Sequence, residues 1–511
     1  MIKLKMMSFV RHHVLAWFFC KSVVVSVSVS AGRVGRCLSD CRTEKDTMGD
    51  IHVSNAALWG AQTQRSVENF VIGDDEMPTE LIRAFAIQKK ACALANQEVL
   101  GRDISGAIQQ AADQVILGGK HFEQFPLVVY QTGSGTQTNM NVNEVLANVA
   151  NEILGAPKRG TQSPVHPNDH VNRGQSTNDS FPTAMHIAAV LSVLKRMLPG
   201  LAHLEKALRA KEEEFAGVVK IGRTHMQDAT PLTLGQEFGA WAEQVKLGSD
   251  RLLAVLDRLY ALPQGGTAVG TGLNQVEGFD TRFARYVAEI TGVDGFRTNR
   301  NKFEGISAHD AMVELASVQN VIATSFMKIA NDVRLLSSGP TGGLGEIWLP
   351  ANEPGSSIMP GKVNPTQAEA MSMVAAQVMG NAVAVSVANS HGHLDLQAFK
   401  PVIIFNVLKS SNLLADVAYS FADKCVVGIV PNLPKVQEHL DKNLMLVTAL
   451  NPVIGYEKAA DVAKTALKQG KSLKQVAVYD KAYLTADQFD LYVVPADMIR
   501  PKSASRKGEE L

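Results

Sequence analysis

From about Thr177 onward, five stretches of this chain carry apolar residues at helical spacing for longer than an ordinary globular helix lasts. They are Phe181 to Phe215, Thr233 to Leu262, Ile306 to Ser338, Pro365 to Ser390 and Lys400 to Ile429. At a rise of about 1.5 Å per residue each spans roughly 40 to 50 Å, which suits an elongated helix bundle. The run AMSMVAAQVMGNAVAVSVANS at 370–390 is apolar nearly all round. A helix without a polar face needs cover on every side, so this one is expected at the centre of an oligomer. The proline-containing break VPNLPKV (Val430 to Val436) ends the pattern. The organisation expected is an extension over 1–40, an N-terminal unit over 41–176, a central five-helix bundle over 177–432 and a small C-terminal helical unit over 433–511. The fold class is all-α, with one short extended segment near Ile51 to Trp59.

The bulk numbers narrow the function. Fifty basic residues balance fifty acidic ones among 511, which argues against nucleic acid and against a membrane surface as partners and leaves a small molecule. No window after the first forty residues has eighteen uninterrupted apolar residues, which speaks against a membrane-spanning body. Five cysteines, Cys20, Cys37, Cys41, Cys92 and Cys425, are few and odd in number, as where thiols stay free. Residues 1–39 hold six Lys/Arg and no acid. That composition fits an organellar presequence, a secretory signal, or an upstream extension that never folds.

Four polar segments punctuated by Gly or Pro interrupt the helices: GSGTQTNMNVN (133–143), SPVHPNDHVNRGQSTND (163–179), GRTHMQDATP (222–231) and GSSIMPGKVNP (355–365). Their Ser, Thr, Asn, His and Lys are what a site for a small polar anion needs. In the last of them Asn364, Pro365 and Gln367 read as N-cap, N1 and N3 of a helix whose open N–H groups face the loop, where carboxylates and phosphates bind. Lys362 adds a full charge, and the doubled serine Ser356-Ser357 is more than a plain turn with a solvated lysine requires. His225 is a proton carrier suited to neutral pH, although a lone histidine is more often bland. His166 and His170 stand four apart, but Pro167 and the turn-prone Asn168-Asp169 argue against the helix a metal pair would want. His391 and His393 read as a helix-end loop. GGTAVGTGLN (265–274) lacks the features of a nucleotide loop, so its glycines are read as close packing at a bend.

Taken together, these motifs resemble the class II fumarases of the aspartase/fumarase superfamily, from about Thr43 to Met498. GSSIMPGKVNP resembles the superfamily signature loop, and TQAEA with GRTHMQDATPLTLGQE looks like the fumarase branch. The resemblance implies an all-α, three-domain fold and a homotetramer with a twenty-helix core. It also implies active sites shared by three subunits and reversible hydration of fumarate to L-malate with no metal and no organic cofactor. By residue, it implies Ser356 as the base at C3, and His225 backed by Glu369 handling water. Lys362, Asn364 and Ser357 would contact the substrate carboxylates. Ser134, Gly135, Thr136, Ser176, Thr177, Asn178 and Thr224 are the implied remaining binding positions, and His166, Pro167, Asn168 and Asp169 a second anion site. His225 and TQAEA disfavour the alternative of ammonia elimination from aspartate or a related lyase reaction. Intact Ser356, Lys362 and His225 disfavour a non-catalytic structural homologue. Two departures stand out: Gln397 and Ala398 where the family more often has Asn and an apolar residue, and Ser163-Pro164 where a basic residue often precedes HPND. The compartment implied is cytoplasmic, or the mitochondrial matrix if residues 1–40 are a presequence.

Overall fold

A computed structural model describes residues 40–116 and 118–501; the 1–39 targeting readings lie outside the described residues. The chain opens with an antiparallel hairpin, β1 (Cys41–Asp46) on β2 (Gly49–Ser54), in register from Cys41↔Ser54 to Asp46↔Gly49. The extended segment therefore begins earlier than Ile51 and stops before Trp59. Helices Thr79–Ala95, Arg102–Ile116 and Thr136–Ile153 follow.

The five long helices are present, with ends set by local chemistry. The first starts at Thr177, four residues before its expected start, because Ser176 and Asp179 form a reciprocal capping box. It passes through a π-helical turn (Val193–Met197) into Leu198–Glu214. The second, Leu234–Leu259, is capped by Thr233 and Gln236 in the same way. The third, fourth and fifth are Asp310–Leu336, Thr366–Asn389 and Lys400–Lys424. The third packs on the fourth, the fourth on the fifth, and the second on both the first and the third. The third shows why: Met312, Leu315, Ala316, Gln319, Ile322 and Ala323 recur three and four apart and are buried.

The fourth bundle helix is different. One stripe, including Ala368, Met371, Ala375 and Val378, is buried within the chain, while Met373, Val383 and Val387 remain 68%, 64% and 55% exposed. By length and mean hydropathy three stretches could cross a membrane, Thr177–Glu214, Thr366–Asn389 and Lys400–Gly428. The first and last bury 56% of their most apolar window within the chain, and the middle one only 28%. A single chain thus covers one side of the helix expected to be enclosed on all sides.

The main core runs through the N-terminal helices and the bundle without interruption. A second, smaller core holds Leu446, Leu450, Val462, Val476 and Phe489 of the C-terminal segment, together with Ile221 from far upstream. Cys92 and Cys425 are free and buried, but Cys41 is disulfide-bonded, so the expectation of free thiols fails there.

Candidate functional site

GRTHMQDATP is a hairpin, which its polar composition did not announce. β3 (Val219–Thr224) pairs with β4 (Gln227–Thr233), and Thr224↔Gln227 closes a two-residue turn made of His225 and Met226. Both turn residues have positive φ, 55° and 64°. Two-residue hairpins with the primed geometry demand this and usually recruit Asn and Gly. Placing His and Met there costs on the order of 1 kcal/mol or more apiece, a strain typical of functional positions. Gly222 fits because a Cβ would stand 2.7 Å from the Thr230 carbonyl oxygen. His225 is exposed at the tip.

The base of this hairpin is held by a buried charge cluster. Glu346, fully buried, accepts from Arg223 at 2.6 and 3.1 Å and pairs with His439 at 2.8 Å and Lys220 at 3.2 Å. Burial alone would raise the Glu346 carboxyl, but Arg223, Lys220 and His439 outweigh it and hold it down at about 2. Lys220 also pairs with Glu237 at 2.8 Å. Ile221 in the second core and the bond from Asn443 to the Ala229 carbonyl (2.9 Å) fix the hairpin to the C-terminal segment.

The signature loop closes on itself at Gly355. Its N–H donates to the Lys362 carbonyl at 2.9 Å, and Asn364 donates its side-chain amide to the Gly355 carbonyl at 2.6 Å. A Cβ on Gly355 would sit 2.3 Å from the Lys362 oxygen, so only glycine allows the closure. The expected cap is corrected here: Asn364 is committed across the loop, Pro365 takes the N-cap position without a side-chain bond, and the helix begins at Thr366. Gln367 turns to Ser420, whose hydroxyl donates to it at 2.7 Å. The first N–H groups of the helix stay open toward the loop. Ser356 Oγ accepts from the backbone N–H of Ile358 (3.2 Å) and Met359 (3.0 Å). Ser357 and Lys362 are exposed, and Glu369, in the first helical turn, is half-buried with no side-chain partner among the described residues.

Ser134, Gly135 and Thr136 make the turn into the Thr136–Ile153 helix. Gly135 has φ 78° and lies against Phe181, while the Ser134 and Thr136 hydroxyls meet at 2.9 Å. Ser176, Thr177 and Asn178 start the first bundle helix beside it, joined by Asn139, whose amide donates to the Thr177 hydroxyl at 3.1 Å. Asn178 donates to the Ala268 carbonyl at 2.8 Å, so the GGTAVGTGLN bend packs here. The departures at 397 and 398 are accommodated. Gln397 is buried, donates to the Ala388 and Asn389 carbonyls at the end of the fourth bundle helix and accepts from the Phe399 N–H at 2.9 Å. Ala398 lies against Gly133, where a Cβ would come within 1.5 Å of its carbonyl oxygen.

HPND is a second correction. Pro167–Val171 forms one π-helical turn, because His166 Nδ1 accepts from the Asn168 and Asp169 N–H groups, both at 3.2 Å, and caps it. Upstream Arg159 is taken up by Glu152 and by the Asn55 and Ala56 carbonyls, so it does not replace the basic residue missing at Ser163. Within one chain, no hydrogen bond or ion pair among the described residues joins the His225 turn, the Ser356 loop and the Ser134 turn.

Sequence reasoning missed two groups. One is Glu346, which sits in an unremarkable GLGE run. The other is Lys89, fully buried, whose ammonium donates to Asn139 (2.8 Å), Gln175 (2.9 Å) and Asn172 (3.0 Å). Burial pushes it down to about 8. Its signal was legible, because position 89 continues the apolar line of Leu81 and Phe85 at four-residue steps.

A family model described as Lyase matches residues 49–380, and one described as Fumarase C C-terminus matches residues 446–500. The chain is 58% identical over 464 residues to a protein of Homo sapiens named fumarate hydratase, mitochondrial, covering 90% of each. It is 56% identical over 466 residues to the class II fumarate hydratase of Methylorubrum extorquens, covering 91% of this chain and 98% of the relative. The crystal structure of class II fumarase from Schistosoma mansoni superposes with a TM-score of 0.88 at 43% identity, covering 91% of this chain and all of that one.

Proposed function

Since this chain belongs to the class II fumarase family of lyases, we propose that it catalyses the reversible hydration of fumarate to L-malate at a site assembled from the three segments above. The observation that carries the reading is the seat of Ser356. Two backbone N–H groups point at its Oγ, Lys362 stands in the same closed loop, and a helix start with open donors follows.

The C3 hydrogen of malate is very weakly acidic, and its removal drives charge into the adjoining carboxylate to give a doubly charged aci-carboxylate. Fixed donors that meet this charge better than they meet ground-state malate lower the barrier. Lys362 and the N–H groups at Thr366 supply that difference. Two amide bonds onto Ser356 Oγ favour its alkoxide, which makes a poor base usable. His225, held out on its strained turn and backed by Glu369, protonates the departing hydroxide from the opposite side. Asn364, tied to Gly355 by its amide, contributes by shaping the loop and has its Oδ1 left for water or substrate. Ser134, Thr136, Thr177, Asn178, Thr224 and Ser357 bind the two carboxylates, and Gly135 lets the backbone approach.

No bond among the described residues joins the three segments within one chain, and the fourth bundle helix offers an uncovered apolar face. Both facts support a homotetramer in which bundle helices pack together and each site draws on three subunits. The second anion site at His166 to Asp169 is weakened by Ser163. The basic segment 1–40, free of acid up to Ser39, and the human relative's name support the mitochondrial matrix, with the cytoplasm the location if that segment does not act as a presequence. The deciding experiment measures malate and aspartate side by side through the ultraviolet absorbance of the conjugated diacid. Turnover of malate alone is expected; turnover of aspartate, or of neither, overturns the reading.

A further inference from the structure

We propose that Lys89 is a positioning residue for this site: it sets the orientation of Asn139, and thereby leaves the Thr177 hydroxyl able to offer only its hydrogen to a substrate carboxylate. The inference rests on the fumarase reading of Thr177 and assigns a role to a residue well away from the motifs.

The argument is one of donors and acceptors. An ammonium has three hydrogens to give and no lone pair, so each amide around it must present oxygen. Asn139, Asn172 and Gln175 do so at 2.8, 3.0 and 2.9 Å. With its oxygen fixed on Lys89, Asn139 has only its NH2 left, and that group donates to Thr177 Oγ1 at 3.1 Å and to Asn172 Oδ1 at 3.2 Å. Asn172 is locked in the same sense, since its own NH2 donates to the Gln175 carbonyl at 3.1 Å. The Thr177 oxygen is therefore an acceptor toward the protein, and its hydrogen must point elsewhere. Threonines inside helices usually return that hydrogen to the carbonyl one turn back. Thr177 is the first residue of its helix and has no such carbonyl.

Lys89 is suited to this task because nothing competes for it. It makes no ion pair among the described residues, and Asp179 acts on it only at a distance while accepting from the Gly265 and Thr267 N–H groups. A lysine that merely filled space could be replaced by an apolar residue without changing the direction of a hydroxyl two bonds removed. This one cannot, because an amide freed from the ammonium can rotate and turn its oxygen to Thr177.

The test uses the full-length protein and malate dehydration, with kcat and KM separated. Lys89→Met is the direct variant, but it strips a buried network of its cation. The decisive one is Asn139→Asp, which keeps the shape and gives Lys89 a carboxylate partner while turning an oxygen toward Thr177. The expected result is a variant that still folds, with the lost Asn172 contact offset by the new pair with Lys89, and a malate KM raised about tenfold or more, from loss of one hydrogen bond to a charged ligand, with kcat changed less. Thr177→Val should give the same rise, and the Asn139→Asp/Thr177→Val double variant no further one. A normal KM in Asn139→Asp beside a raised KM in Thr177→Val overturns the proposal, as does additivity in the double variant or a normal KM in Thr177→Val. Wild-type protein that fails to turn over malate would instead defeat the fumarase reading.

Discussion

Replacing Glu346 by glutamine keeps the side chain's shape and removes the one charge on which Arg223, Lys220 and His439 converge. The carboxyl is held at about 2 against an ordinary 4.5, and a shift of that size corresponds to about 3 kcal/mol of folding stability at neutral pH. The loss on substitution should be of the same order, since breaking a buried pair by removing one partner costs about 3 to 5 kcal/mol. The lower end applies because Lys220 keeps Glu237 at 2.8 Å. The pKa is depressed on folding, so the contribution is complete above 4.5 and is lost as pH falls toward 2. Urea unfolding followed by far-ultraviolet circular dichroism, at fixed protein concentration, should therefore show a wild-type advantage at pH 7.5 that closes through the acid range. The same variant should lose turnover, because the cluster fixes the hairpin that presents His225. Equal midpoints at pH 7.5, or a gap that persists unchanged down to pH 3, would refute the reasoning.

Ser356→Ala should lower malate turnover by roughly a hundredfold or more while calorimetry still detects dicarboxylate binding; a near-normal rate would remove Ser356 from the chemistry. His225→Asn, which is also better suited to positive φ, should cut kcat by about two orders of magnitude and leave stability intact or improved. An unaltered pH profile of kcat/KM in that variant would count against His225 as the proton carrier. Gly133→Ala places a methyl 1.5 Å from the Ala398 carbonyl oxygen. It should cost about 1 to 3 kcal/mol and raise KM, read from melting curves and steady-state kinetics, and a wild-type melting curve would show that the contact yields.

The long helices were legible in the sequence because periodic burial is a local property: a residue's face follows from its place in a 3.6-residue repeat. The caps of Ser176 with Asp179 and Thr233 with Gln236 are just as local, but apolar spacing alone does not read them and begins the first long helix four residues late. The polar loops stood out in the sequence because their composition has no packing purpose. Only the tertiary structure decided that GRTHMQDATP is a strained hairpin rooted in the C-terminal core, that Asn364 ties a loop instead of capping a helix, and that HPND caps a turn of its own. It alone decided that Lys89 and Glu346 hold networks behind the site. The two networks depend on partners tens to hundreds of residues away, Glu346 for Arg223 and Asn139 for Lys89, whereas the Asn364 tie and the HPND cap span only a few residues and turn on the path the backbone takes. The energy of a buried charge or amide is set by that partner's position, which no local pattern carries.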